Sequence, residues 1–366
     1  LWMSSNGLST VSISHVKSVS NVVTVLALFY FTLRVPIDKL KKGMTIVLIL
    51  KMICEVILLI FDGREALFAI KFLMFFDIAF TQLILSSVYP LMMNFAKDDE
   101  IYTKKGFVES FFDKIGFLFV SLIVGKVIFG RIIDYNTCLS LGLLFTFLSF
   151  AVLITIEVNG SKTTGTLNVK DTLKYFKENK VFLFFLGHNL LGSVIWATIV
   201  GMPMLMLTQK MTLEPQMASF LILGLGVVST VMSMIVLKYL RFKNDQYNLI
   251  FKFGIRVIAY ALCVITNDTR VLFGTIVYLL LTNSTHNFIF SSFFVNSIDE
   301  KYSLIFTTLK YCTSLLGDAI GIFILGLFFD SPVRLIAVPA VALGVVHYVL
   351  ACVLVEKKKA LIKSES

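Results

Sequence analysis

Charge is scarce in this sequence of 366 residues, of which Asp, Glu, Lys and Arg make up only 15% and hydrophobic residues 57%. About 25% of the residues of a soluble domain are charged, so a soluble globular protein is excluded. Apolar runs of 18 or more residues recur along the chain, and each could cross a hydrocarbon layer of about 30 Å as a helix. Backbone groups in lipid must be paired within their own segment, so we predict an all-α integral membrane protein.

Several signatures of enzyme chemistry are also missing. The sequence has no nucleotide-binding Gly-Lys-Ser/Thr loop and no His-Glu-x-x-His motif. Its five cysteines lie in or at the ends of apolar runs without a close pair, which favours packing over a disulfide or a metal site. We therefore predict no enzyme, no cofactor and no metal, and energy drawn from an ion or substrate gradient.

The net charge of +10 does not indicate a nucleic-acid partner, because of where the charge lies. Most Lys and Arg residues occur on alternate loops and on the C-terminal tail. This is the positive-inside pattern of membrane proteins, and it predicts a cytoplasmic C-terminus in a multi-pass protein of the plasma membrane.

Eleven apolar runs can be placed on the sequence. A run equivalent to Val181–Leu207 would precede Leu1, so we expect a further first helix and twelve spans in all, with Gly7–Lys17 as a short outer loop. The eleven runs are Ser18–Leu33, Met44–Phe61, Ala66–Met93, Gly106–Phe129, Thr137–Ile156, Val181–Leu207, Met217–Leu237, Asn248–Ile265, Leu272–Val295, Leu304–Phe329 and Val333–Val355.

The chain repeats itself. Gly116 and Gly125 recur 201 residues later as Gly317 and Gly326, each pair within an apolar run that follows a polar lead-in. A repeat that contains several spans is typical of a transporter built from two parallel halves with the site between them.

This repeat divides the chain into two half-bundles, 1–157 and 181–355, followed by a cytoplasmic tail, 356–366. The linker, 158–180, contains an amphipathic helix that Asn168 can cap. We expect this helix to lie in the membrane interface with its lysines toward anionic headgroups.

The loop from Arg34 to Gly43 carries the residues of a family motif. Asp38, Lys39 and Lys42 occupy its acidic and basic positions, although Arg34 and Lys41 stand where the motif has glycine. The loop resembles the one between the second and third helices of the major facilitator superfamily; the alternative is an ordinary basic loop.

The resemblance implies a bundle of twelve helices with two-fold pseudo-symmetry, alternating access, and a central cavity lined by helices one, four, seven and ten. It also implies that Asp38 helps to hold the inner ends of the halves together. The fifth helix lacks the proline of the drug–proton antiporters in this family, which weakens that assignment.

Ionisable side chains at bilayer depth cost about 3 kcal/mol or more, so each is a functional candidate. Asp77, in the middle of the fourth helix, is predicted to bind a proton or a cation; the alternative is a structural pair with a neighbouring helix. His188 and His286 are candidate proton relays. Buried Asn and His can also simply join helices. The cavity candidates are Lys71, Gln82, Asn189, Trp196, Asn283 and Asn287.

Other charges suggest structural pairs. Lys51 and Glu55 are spaced i, i+4 within the third helix and can pair there. Glu109 and Asp113, in the inner half of the fifth helix, are either inner-gate contacts or charged side chains that reach the interface. Arg256 and Asp318 are weaker candidates.

These observations predict a secondary active transporter of a small solute, monomeric in the lipid bilayer, and coupled to protons or another ion. The Leu173–Leu191 stretch resembles exporters of the superfamily, and the many Phe and Met residues suit an adaptable apolar pocket, so we expect proton-coupled efflux of amphipathic compounds. Two alternatives remain: an uptake symporter, and a non-transporting membrane protein in which a tight ion pair locks Asp77.

Overall fold

The computed structural model describes residues 3, 7–34, 37–60, 71–81, 135–155, 169–214, 217–231 apart from 219, 223 and 230, 253–296, 298 and 300–365. Within this part of the chain every regular element is a helix, as the sequence predicts. The longer helices are α1 (Thr10–Arg34), α2 (Ile37–Ile60), α3 (71–81), α4 (Tyr135–Thr155), α5 (Val169–Glu178), α6 (Lys180–Val200), α7 (Ile255–Thr266), α8 (Thr269–Asn296), α9 (Glu300–Phe328) and α10 (Val333–Glu365). Short helical turns follow α6 at Pro203–Leu205 and Met206–Lys210, and a further helical segment lies within 217–231.

Five stretches of the described helices are long and apolar enough to span a membrane. In the same part of the chain, shorter apolar stretches occur in four further helical segments. The predicted all-α membrane fold is therefore confirmed. The membrane-spanning stretches are Thr10–Tyr30, Lys41–Ile60, Lys180–Lys210, Thr308–Phe328 and Val333–Lys358.

The predicted outer loop Gly7–Lys17 is wrong for most of its length, because α1 already begins at Thr10. Ser9 supplies the reason. Its Oγ accepts a hydrogen bond from the backbone N–H of Ser12 at 3.2 Å, which satisfies one of the free donors at a helix start.

The motif at Asp38, Lys39 and Lys42 also lies in a helix rather than in the predicted loop, since α2 begins at Ile37. Pro36 precedes this helix in the sequence and Asp38 falls in its first turn, and both residue types favour a helix start. Lys41 in the next turn donates to the Ile154 carbonyl oxygen at 3.0 Å, at the end of α4.

Helix α9 packs against α1 on one side and against α6 on another, so it joins the two predicted halves. Glycines allow this close approach. Gly317 and Gly321 face the backbone of α6, and Gly326 faces Ser14 of α1. Small residues commonly let membrane helices come together in this way.

Helix pairs recur in the two halves at the register of the sequence repeat. Helix α2 packs on α4, and α7 packs on α10. A shift of 201 positions places residues 54–60 of α2 on 255–261 of α7, and all of α4 on 336–356 of α10. The internal repeat is therefore also a repeat of packing.

We predict that Gly321→Ala destabilises the protein by about 1–3 kcal/mol, because the added Cβ would overlap the Val194 carbonyl oxygen and the Ala197 side chain. Gly274→Ala is the matched control, since nothing lies within 4 Å of a Cβ added in that part of α8. Thermal unfolding of the two purified variants in detergent measures the difference. Equal unfolding temperatures would contradict this view of the α6–α9 contact.

Candidate functional site

A cluster of three charged side chains joins α2 to α3. Lys51 Nζ lies 2.7 Å from Glu55 Oε1 and 2.8 Å from Asp77 Oδ1. Their side chains are only 13%, 5% and 16% exposed. Lys51 and Glu55 thus form the ion pair that their spacing predicts, and Asp77 joins it from the neighbouring helix.

Glu55 is the most enclosed member of this cluster. Thr146 Oγ1 of α4 lies 3.3 Å from Glu55 Oε1, but the same hydroxyl lies closer, at 2.9 Å, to the Gly142 carbonyl oxygen. The second carboxyl oxygen, Glu55 Oε2, is buried and has no hydrogen-bond partner among the described residues. The carboxyl group therefore has one well-bonded oxygen and one that nothing described satisfies.

The charges of the cluster do not balance. One ammonium group faces two carboxyl groups, so full ionisation leaves one negative charge over. A buried charge is stable only when it is paired, and an ionisable group at bilayer depth costs about 3 kcal/mol or more. The cluster can remove this excess by holding one proton.

The other half contains a counterpart at the same register. Arg256, Tyr278 and His347 each follow a member of the first cluster, namely Glu55, Asp77 and Thr146, by 201 residues. The sequence repeat therefore places a polar cluster at equivalent positions in each half.

Arg256 is buried at 8% exposure and donates through Nη2 to Thr282 Oγ1 at 3.2 Å. Thr282 itself bonds to the Tyr278 carbonyl oxygen, just as Thr81 bonds to that of Asp77. The two clusters share their backbone bonding but differ in sign of charge: a carboxyl group in one half is replaced by a guanidinium group in the other.

His188 belongs to this second cluster. Its ring stacks on His347 of α10 with 4.0 Å between centroids and meets Phe253 edge-on at 5.2 Å. It is 2% exposed. The structure therefore places His188 and Asp77 in separate clusters, one in each half, rather than together.

Asn189 joins two helices. Its Nδ2 lies within 2.8 to 2.9 Å of three acceptors on α9, which are the Lys310 carbonyl oxygen, Thr313 Oγ1 and Ser314 Oγ. This is the helix-joining alternative considered for the buried polar residues. Trp196 packs against the main apolar core, and Lys71 is partly exposed at the start of α3.

The remaining candidates are only partly described. The backbones of Asn283, His286 and Asn287 lie in α8, but their side chains are outside the described part. The same holds for Asp38 and Lys39 in α2, where the Lys42 side chain is exposed. Gln82, Glu109 and Asp113 lie outside the described residues altogether.

A polar contact between the halves was missed from the sequence. Lys17 Nζ of α1 donates to the Gly201 carbonyl oxygen, just beyond α6, at 2.8 Å. Asp318 of α9 is close enough to Lys17 for their charges to interact. Thr10 Oγ1 also donates to Gln209 Oε1 at 3.2 Å. The sequence gives little signal for this contact, because Lys17 directly precedes the apolar run Ser18–Leu33 and falls at the end of the predicted outer loop.

Close packing accompanies these bonds. His15 of α1 stacks on Phe323 of α9 with 5.3 Å between ring centroids. The first turns of α1 therefore pack against the end of α6 and the last turns of α9. Contacts of this kind bring the two predicted halves together at one end of the bundle.

Solved structures provide the comparison for this arrangement, since no protein-family profile and no curated protein matches the sequence. The human organic anion transporter MFSD10 (TETRAN) is similar with a TM-score of 0.67 at 10% identity, over 93% of this chain and 83% of that one. The nucleoside transporter NupG gives 0.61 at 13% identity, over 97% and 92% of the two chains. The E. coli fucose:proton symporter FucP gives 0.58 at 11% identity, over 94% and 97%.

These similarities extend over almost the whole chain, and they agree with the repeat and with the motif at Asp38. At such low identity they establish the fold rather than the substrate. The chain has the fold of the major facilitator transporters.

Proposed function

We propose that this protein is a secondary active transporter that moves a small solute by alternating access and draws its energy from a proton gradient. The observation that carries the proposal is the Lys51–Glu55–Asp77 cluster, two members of which lie in the membrane-spanning stretch Lys41–Ile60 of a fold found in transporters. A buried cluster with one carboxyl group more than it can neutralise is suited to binding and releasing a proton.

Asp77 gives this proton a means of affecting the structure. Its link to Lys51 is a contact between α3 and α2 whose partners are 26 positions apart, whereas the Lys51–Glu55 contact lies within one helix. A change in the charge of the cluster therefore changes the attraction between two helices. In the family that the motif resembles, the helix that carries Asp77 lines the cavity.

Alternating access requires one side of the bundle to be closed at a time. The contacts of Lys17 with Gly201 and of Thr10 with Gln209 join the two halves at one end. By the positive-inside pattern this is the outer end, with the C-terminus in the cytoplasm. We assign the structure to a conformation that is closed on the outside.

The substrate cannot be selected by the fold, because the similar structures are of transporters for an organic anion, for nucleosides and for fucose. The 35 Phe and 13 Met residues favour an adaptable apolar pocket and hence an amphipathic solute. We propose efflux across the plasma membrane by a monomer, with uptake by symport as the alternative direction.

A second candidate function is a membrane protein that keeps the fold but transports nothing. The observation in its favour is that Asp77 is already held in a tight ion pair, as this alternative predicts. Transport measurements separate the two candidates.

We predict that Asp77→Asn abolishes accumulation driven by a pH gradient but retains solute exchange, because the variant leaves Lys51 with one carboxyl partner and the cluster with no charge in excess. The measurement is flux in proteoliposomes of the purified protein, with lipophilic cations, organic anions, nucleosides and sugars as probes. Glu178→Gln is the control, since this carboxyl group is exposed and 4.0 Å from Lys174 in α5.

Unchanged gradient-driven flux in Asp77→Asn would remove the cluster from coupling. Absence of flux for every probe in the parent protein would favour the non-transporting candidate instead. The Glu178→Gln control guards against general effects of removing a carboxylate from a Lys–Glu pair.

A second prediction concerns the closed end. In a background without other cysteines, Thr10→Cys combined with Gln209→Cys should be joined by a short, reducible bifunctional thiol reagent, because Thr10 Oγ1 and Gln209 Oε1 of the parent lie 3.2 Å apart and cysteine is shorter than glutamine. The cross-link should stop flux, and a reductant should restore it. Full transport by the cross-linked protein would show that these ends do not separate during the cycle.

A further inference from the structure

We propose that the exchangeable proton of the buried cluster resides on Glu55, at Oε2, while Asp77 remains ionised as the partner of Lys51. The sequence alone predicts instead that Asp77 carries this proton and that Glu55 has a structural role. The inference rests on the proposed function for its part in transport, but the place of the proton can be measured without any transport.

Burial separates the two carboxyl groups. The side chain of Glu55 is 5% exposed and that of Asp77 is 16% exposed, although both lie equally close to Lys51. Burial disfavours the charged form of a carboxyl group. The excess negative charge is therefore less costly on Asp77, and the neutral form belongs on Glu55.

Hydrogen bonding points to the same atom. Glu55 Oε1 accepts from Lys51, whereas Oε2 is buried without a described donor. An ionised carboxylate needs donors at both oxygens, and a buried oxygen that lacks one is costly. A proton on Oε2 removes the charge and leaves the Lys51 bond to Oε1 in place, and an unpaired neutral hydroxyl is less costly to bury than an unpaired charged oxygen.

Among the described residues, the groups around Glu55 offer no better way to balance the charge. Its own helix contributes Lys51 and the buried, uncharged Cys54, and α3 contributes Asp77. Helix α4 contributes Thr146, whose hydroxyl lies nearest to a backbone carbonyl oxygen. No group of three or more His, Cys, Asp and Glu suited to a metal ion occurs among the described residues, which favours a proton over a metal cation.

The step is a simple protonation. A proton from water on one side of the membrane forms an O–H bond at Glu55 Oε2, and the side chain becomes neutral. In the opposite conformation this bond breaks and the proton passes to water on the other side. Lys51 keeps its protons and Asp77 its charge throughout.

Infrared spectroscopy of the purified parent protein at neutral pH tests the assignment, because a protonated carboxyl group has a C=O stretch that carboxylates lack. We expect such a band to shift when glutamate alone is labelled with carbon-13 and to stay when aspartate alone is labelled. Glu55→Gln should lose this band, whereas Glu178→Gln should keep it. The labelling result needs no variant to fold.

An aspartate band that is lost in folded Asp77→Asn, or the absence of any glutamate band at neutral pH, would overturn the assignment. So would a glutamate band that persists in folded Glu55→Gln. A band on Glu55 together with solute flux that does not depend on the pH gradient would contradict the proposed function and leave the assignment standing. A band on Asp77 together with gradient-driven flux would contradict the assignment to Glu55 and leave the proposed function standing.

Discussion

The ammonium group of Lys51 lies between two carboxyl groups within an apolar bundle, and the rest of the account depends on this arrangement. In water such contacts contribute little, because solvent screens them. Within an apolar bundle each of the three charged groups is stabilised only by its partners. Because two carboxyl groups face one ammonium group, the cluster can respond to a single proton. The same contacts hold α2 against α3, so the charge of the cluster and the packing of the helices are linked.

The repeat makes this arrangement easier to understand. Both halves place polar residues at the same register between equivalent helices, and the hydroxyl groups of Thr81 and Thr282 make the same backbone bond. The side chains at this register differ, however, with Glu55, Asp77 and Thr146 in one half and Arg256, Tyr278 and His347 in the other. The carboxyl groups of the first cluster can gain a proton, whereas the guanidinium group of Arg256 stays charged, so these two groups would respond differently to pH.

Much of the fold could be predicted because length and hydropathy define membrane helices. The spacing of Lys51 and Glu55 also fixed their pairing, since residues four apart share one helix face. The partners of Asp77, His188 and Asn189 could not be found in this way. Helix α6 is apolar on all sides, so its sequence does not indicate which face meets which neighbour. Those contacts depend on how helices rotate and pack, and they join residues far apart in the sequence.

The most direct test of the central claim is the charge displaced by a pH jump on reconstituted protein adsorbed to a solid-supported membrane, without any solute. The account predicts a transient current in the parent protein and in Glu178→Gln, and none in Glu55→Gln or Asp77→Asn, because each of these two variants removes the excess carboxyl group. Equal currents in all four proteins would contradict the claim that the Lys51–Glu55–Asp77 cluster takes up the proton.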